Sequence, residues 1–188
     1  MQQPDGRSWR YVVAIYMLAG AVSGVMAGVA LGAAGHAIDA EARVVIALVV
    51  ACVATAGGLI EIAGGKVPLL QCNRETPRRW VARGPAYWAV RNGLSLGCGA
   101  TTRIGFAIWY LVPAAAFLSA SPLVGAMLFG VYGATRTGLV GVLIGVGVRR
   151  GSVAEVSDFI VARFWLARRA SAAVQAAVGA TGIAVIAL

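Results

Sequence analysis

Two arginines are set in stretches otherwise apolar enough to lie in a bilayer. The two stretches nearly repeat each other: Gly99-Ala100-Thr101-Thr102-Arg103 and Gly133-Ala134-Thr135-Arg136-Thr137. They flank a turn signal at Ser119-Ala120-Ser121-Pro122. Arg103 lies about 17 residues before that turn and Arg136 about 15 after it, so on two helical arms rising ~1.5 Å per residue the arginines fall within roughly 3 Å of one depth. A guanidinium below the membrane surface is costly unless a polar partner, an aqueous cavity or a ligand meets it. Its planar fork grips carboxylate, sulfonate or phosphate bidentately. Thr101, Thr102, Thr135 and Thr137 would add hydroxyl donors, and Glu61 sits at a compatible depth. One glutamate cannot neutralise two arginines, so a bound anion would complete the balance. The competing reading is structural, with both arginines snorkelling to the headgroups or pairing with Glu61.

Other chemistry is sparse. Cys98 and Cys52 lie in apolar segments and form the one candidate redox pair; Cys72 is a surface thiol. The packing alternative treats Cys98 and Cys52 as small buried residues. Three cysteines do not make a disulfide framework. The single histidine, His36, lies in a loop, and no HExxH, paired CxxC or Walker-type loop is present. No metal or cofactor is expected, and no acid/base pair suggests an enzyme.

The elements that hold these residues are those of an all-α integral membrane protein, a single transmembrane domain. The chain of 188 residues is 60% hydrophobic, with a mean hydropathy of +0.81, values far from those of a soluble domain. Its net charge of +9 would suggest nucleic acid in a soluble protein. Here the basic residues gather between apolar segments, so anionic lipid is the expected partner and nucleic acid is not.

Tyr11–Ala34 is too long for a signal-peptide core and reads as an uncleaved first span. Gly20, Gly24, Gly28 and Gly32 recur every fourth residue along it, a small-residue face for helix packing within the chain or between protomers. Val44–Ala63 is the second span. Thr76-Pro77 and Gly84-Pro85 are helix-start signals in the basic stretch that follows. Residues 85–119 are too many for one straight span. Gly93, Gly97 and Gly99 predict a break near 93–100, and Pro113 a kink. Ser121-Pro122 caps a span over 122–148. Residues 152–169 read as an amphipathic interfacial helix, with Glu155 and Asp158 early and Arg163, Arg168 and Arg169 late. The last span covers 170–188.

Thirteen of the sixteen basic residues then fall on one side and Arg43 alone on the other. The positive-inside rule predicts a cytoplasmic N-terminus, five crossings and an outer C-terminus in the cell (inner or plasma) membrane. Residues 85–98 are the candidate for an extra half-crossing.

Residues 93–148 carry Gly-Leu-Ser-Leu-Gly-Cys-Gly-Ala-Thr-Thr, then Ser-Ala-Ser-Pro-Leu-Val-Gly-Ala, then Phe-Gly-Val-Tyr-Gly. This pattern resembles one half of the small transporters typified by CcdA and the DsbD membrane domain, a group that extends to amino-acid and sulfite or sulfonate exporters. The resemblance implies inverted three-helix repeats and a broken helix lining the transport path. Electron-carrying members have a cysteine in the first helix of each half. Cys98 lies near the expected place in the second half, while Tyr11–Ala34 holds none.

Three functions are therefore expected, in order. The first is a transporter or exporter of an anionic small solute, forming a homo-oligomer. The second is a non-catalytic membrane subunit that docks a partner membrane protein through its glycine stripe and basic cytoplasmic face. The third is a thiol-disulfide electron carrier using Cys98 and Cys52.

Overall fold

The bare face of the first apolar run organises the molecule. The computed structural model describes residues 6–68, 77–99, 106–150 and 153–188. Along it run α1 (Gly6–His36), α2 (Ala40–Ile62), α3 (Arg78–Ala82) and α4 (Pro85–Gly97). A 3-10 turn (Ala107–Tyr110), α5 (Leu111–Leu118), α6 (Pro122–Arg150) and α7 (Val153–Ala187) complete it. Among the described residues all regular structure is helical.

α6 lies antiparallel on α1, backbone against backbone. A Cβ on Gly24 would come within 2.3 Å of the Phe129 carbonyl oxygen, one on Gly28 within 2.0 Å of Gly125 O, and one on Gly32 within 2.3 Å of Ser121 O. The fit is reciprocal, since a Cβ on Gly125 would lie 2.2 Å from Gly28 O and one on Gly133 2.3 Å from Gly20 O. Such approach needs glycine on both helices. The glycine stripe is thus an interface inside the chain.

The same face of α1 also takes α4, which runs parallel to it. A Cβ on Gly93 would sit 2.5 Å from Tyr16 O, and one on Gly97 2.0 Å from Gly20 O. Three helices therefore converge on the Gly20 carbonyl, which also accepts from Ser23 Oγ at 3.2 Å. The break expected near 93–100 falls at the end of that range. Gly93 and Gly97 stay helical because in an apolar setting they serve close packing rather than bending. The helix ends at Gly97 with Cys98 as its cap, Gly99 has φ +71°, and a 3-10 turn begins at Ala107. Pro113 falls in the first turn of α5, where a missing N–H costs nothing.

Turn chemistry sets the other boundaries. α3 starts at Arg78 after Pro77; Thr76 lies outside the described residues. Gly84, with φ +105°, precedes Pro85 at the first position of α4. Between α5 and α6 the chain reverses at Ala120 (φ 49°), and Ser121 Oγ accepts from Val124 N at 3.4 Å. His36 closes this end with a ring nitrogen 3.3 Å from Ala120 O.

α2 pairs mainly with α7, apart from the α1–α4–α5–α6 group. Small residues again sit at the seam: a Cβ on Gly58 would lie 2.7 Å from Ala172 O, and one on Gly179 2.6 Å from Ala51 O. α7 is one helix of 35 residues, so the expected interfacial helix over 152–169 and the span over 170–188 are continuous where described. No glycine or proline lies between Arg168 and Ala173 to part them.

The inside and outside of this protein are reversed in residue size. Among the described residues the buried apolar set is mostly alanine, Ala89 and Ala172 included, with Val12, Tyr16 and Phe129 as its larger members. The large aliphatic side chains Leu18, Val29, Val53, Leu139 and Val185 face outward. Apolar exposure on this scale fits a membrane protein. Among the described residues four helices are long and apolar enough to cross a membrane, Trp9–His36, Ala40–Ile62, Pro122–Val142 and Val161–Ala187. The remaining expected span, 85–119, is divided between α4 and the shorter apolar stretch Ala107–Leu118.

The α1–α6 contact is directly testable. Gly28→Ala should destabilise the detergent-purified protein by about 1–3 kcal/mol through overpacking against backbone. Gly138→Ala meets only the flexible tip of Met17, with Cε at 3.2 Å, and should leave the melting temperature nearly unchanged. Equal melting of the two variants would contradict the packing described.

Candidate functional site

The break after α4 opens beside the middle of α6. Gly133 of α6 and Gly97 of α4 both abut Gly20 of α1, so Tyr132 and Arg136 flank the level at which α4 ends. Trp109, on the turn that follows the break, packs its indole over Gly99, where a Cβ would meet it at 2.6 Å. The same indole meets Tyr132 edge-on with ring centroids 6.4 Å apart, and Tyr110 at 5.2 Å. Phe129 backs Tyr132 from one turn away, at 5.9 Å.

Arg136 donates from Nη1 to the Tyr132 hydroxyl, one helical turn before it, and its guanidinium carbon sits 5.7 Å from that ring's centroid. Tyr16 of α1 belongs to a buried cluster against which Val140 packs, one turn past Arg136 on α6. Tyr16 is 2% exposed and stacks on Trp88 of α4, centroids 5.7 Å apart. Two buried groups here lack hydrogen-bond partners: the Tyr16 hydroxyl and Trp109 Nε1. The indole nitrogen is beside the Tyr132 hydroxyl but outside hydrogen-bonding geometry. A guanidinium, an indole N–H and two phenols make a site rich in donors. An anionic oxygen is the group that such a set accommodates.

The structure separates several residues that the sequence suggests together. Thr137 is fully buried, donates from Oγ1 to Gly133 O at 2.7 Å, and packs its methyl group against Gly20. Its hydroxyl is satisfied by its own helix. Thr135 points outward, exposed. Consecutive helix positions are about 100° apart, so of the three neighbours only Arg136 keeps to the side of Tyr132. Thr101, Thr102 and Arg103 lie outside the described residues, as does Cys72.

Glu61 is not the partner of Arg136 in this fold. Its carboxylate, 3% exposed, accepts through Oε1 from Arg168 Nη2 at 3.2 Å. The same nitrogen donates to Gly65 O at 3.2 Å, tying the end of α2 to α7. Arg168 sits 107 residues away in sequence, and nothing in local spacing points to it. Deeper in that seam Gln175 donates from Nε2 to Ala54 O at 3.1 Å, and Gly57 leaves room for its amide. Glu61 Oε2 and Gln175 Oε1 are buried without donors.

The two described cysteines are free thiols in different helix groups. Cys52 is exposed on α2, and Cys98 donates to Ser95 O at 3.4 Å at the end of α4. Among the described residues no cluster of acidic, histidine or cysteine side chains could hold a metal. The aromatic members of the site, Tyr16, Trp109 and Tyr132, escape sequence reasoning. The four-residue spacing of Tyr132 and Arg136 is the signal that could have found them.

No protein-family model, curated protein or solved structure matches the chain. The reading of function therefore stands on the residues themselves.

Removing one member of the buried ion pair strands the other. Arg168→Met should cost about 3 kcal/mol, measured by thermal unfolding, because Glu61 keeps a desolvated charge. Adding Glu61→Gln to that variant should restore most of the loss. Failure of the double variant to recover would refute the pairing.

Proposed function

We propose that this protein is a small integral membrane transporter or exporter of an anionic solute, with its binding site at Arg136 beside the interrupted α4–α5 crossing. The observation that carries this reading is the donor-rich surround of Arg136. The buried Tyr16 hydroxyl and Trp109 Nε1 complete no well-formed hydrogen bond there, and an unpaired buried donor costs about 1–3 kcal/mol. A carboxylate, sulfonate or phosphate oxygen would accept from them beside the guanidinium. An interrupted helix at membrane depth is a recurrent way of exposing a transport site.

The sequence resemblance to CcdA-type transporters and sulfite or sulfonate exporters points the same way, and its inverted repeat belongs to this proposal. So does a cytoplasmic N-terminus, which rests on the placement of the basic residues. The partner-subunit alternative loses one of its two motivating surfaces, since α6 and α4 cover Gly20, Gly24, Gly28 and Gly32, and keeps the basic face. The thiol-relay alternative has Cys52 facing outward on α2 and Cys98 at the break. Nothing brings the two thiols to one place.

The test is thermal stability of the purified protein against sulfite, sulfate, phosphate, taurine, acidic amino acids and organic acids. A ligand at a hundred times its dissociation constant stabilises by about 2.7 kcal/mol. The expected result is a shift with one anion class that disappears in Arg136→Gln, with Arg103→Gln testing the partner arginine expected from sequence. No shift with any anion, or a shift unchanged in Arg136→Gln, would defeat the proposal.

A further inference from the structure

Among the described residues three arginines outside the site lie over aromatic rings. Arg91 of α4 covers Trp80 of α3, with its guanidinium carbon 5.0 Å from the ring centroid. Arg169 of α7 covers Trp165 at 4.4 Å. Arg83 covers Tyr87 at 5.2 Å and donates from Nη1 to its hydroxyl at 3.0 Å. Stacking engages the face of a guanidinium and leaves its N–H groups radiating in the plane. In Arg83 one of them is already used. In Arg91 and Arg169 they remain available to an external acceptor.

Both of those pairs stand at the same end of the bundle. Gly93, two residues after Arg91, abuts Tyr16 O in the first half of α1. Arg169 follows Arg168, which binds the last turn of α2 through Glu61. Each stacked arginine also has an apolar shoulder open to the surroundings. Val81 is 63% exposed beside Trp80, and Leu166 is 67% exposed beside Trp165. A planar cation above a ring, next to exposed aliphatic surface, matches a group that is anionic at one end and hydrocarbon at the other.

We propose that Arg91 with Trp80 and Arg169 with Trp165 are two headgroup clamps for anionic phospholipid. The phosphodiester oxygens receive the in-plane N–H groups, and the acyl chains lie on Val81 and Leu166. Charge complementarity supports this occupant: the chain carries a net charge of +9, and an anionic leaflet attracts such residues at its surface. The inference takes from the functional reading only the side of the membrane, not the identity of the solute.

The test uses the full chain in detergent, titrated with phosphatidylglycerol or phosphatidylcholine and read by native mass spectrometry. Phosphatidylglycerol should remain bound and phosphatidylcholine should not. Arg91→Gln and Arg169→Gln should each weaken retention about ten-fold, the worth of a charge-assisted hydrogen bond to the phosphodiester. Arg91→Lys keeps the charge but loses the stacked fork, so it should weaken retention as well. Arg79→Gln removes the same charge from exposed surface on α3 and should change little. Equal retention of both lipids, full retention by Arg91→Lys, or a loss in Arg79→Gln as large as in Arg91→Gln would overturn the clamps. Competition by inorganic phosphate alone would reassign them to a free anion. Arg136→Gln should bind lipid normally, so failure here and failure of the solute site are read separately.

Discussion

Backbone contact along one face of α1 is the constraint on which the rest depends. In lipid, apolar side chains gain little by leaving their surroundings, because those surroundings are hydrocarbon too. Attraction between helices must come from close approach. α1 obtains it by carrying no side chain at Gly20, Gly24, Gly28 and Gly32, and α6 answers with Gly125 and Gly133. The carbonyls then sit where a Cβ would otherwise be. α4 uses the same device at Gly93 and Gly97, so three helices share one level at Gly20. That convergence fixes where α4 can end, and so where the aromatic groups around Arg136 gather.

Polar side chains follow the same economy of space. Thr137 satisfies itself within α6 and fills the gap against Gly20. Gln175 reaches across the α2–α7 seam to a backbone carbonyl, through room that Gly57 leaves. Glu61 and Arg168 close that seam at its polar end. Among the described residues, only around Arg136 do buried donors collect without a well-formed hydrogen bond. This contrast with the satisfied donors elsewhere is what marks the position out.

Much of the architecture was legible in the sequence because it depends on local pattern. Apolar length marked the helices from Trp9 to His36 and from Ala40 to Ile62, and Ser121-Pro122 marked the start of α6. The glycine stripe announced close packing. What it could not announce was the partner, since the facing residues of α6 lie far along the chain, a separation of the kind that only tertiary structure resolves. Among the described residues the candidate site was legible in Arg136 alone. Thr135 and Thr137 share its segment, but helical geometry turns them to other faces. Glu61 matches Arg136 in expected depth, yet depth carries no information on direction around a helix. Arg168 reads as part of a surface helix because its neighbours alternate between charge and apolar bulk. Its long side chain instead reaches the end of α2.

The order of the helices along the chain has a consequence for how the protein is made. α1 and α2 leave the ribosome first, yet α1 packs on α4 and α6, and α2 packs on α7. Chains emerge at about 5–20 residues per second, so α2 waits several seconds for its partner. During that interval the Glu61 carboxyl has no Arg168, while the glycine face of α1 is covered first by α4 and then by α6. Until α7 arrives, α2 is therefore held by its own hydrophobic length. Assembly is completed backwards, as each late helix closes on an early one that has been kept open for it.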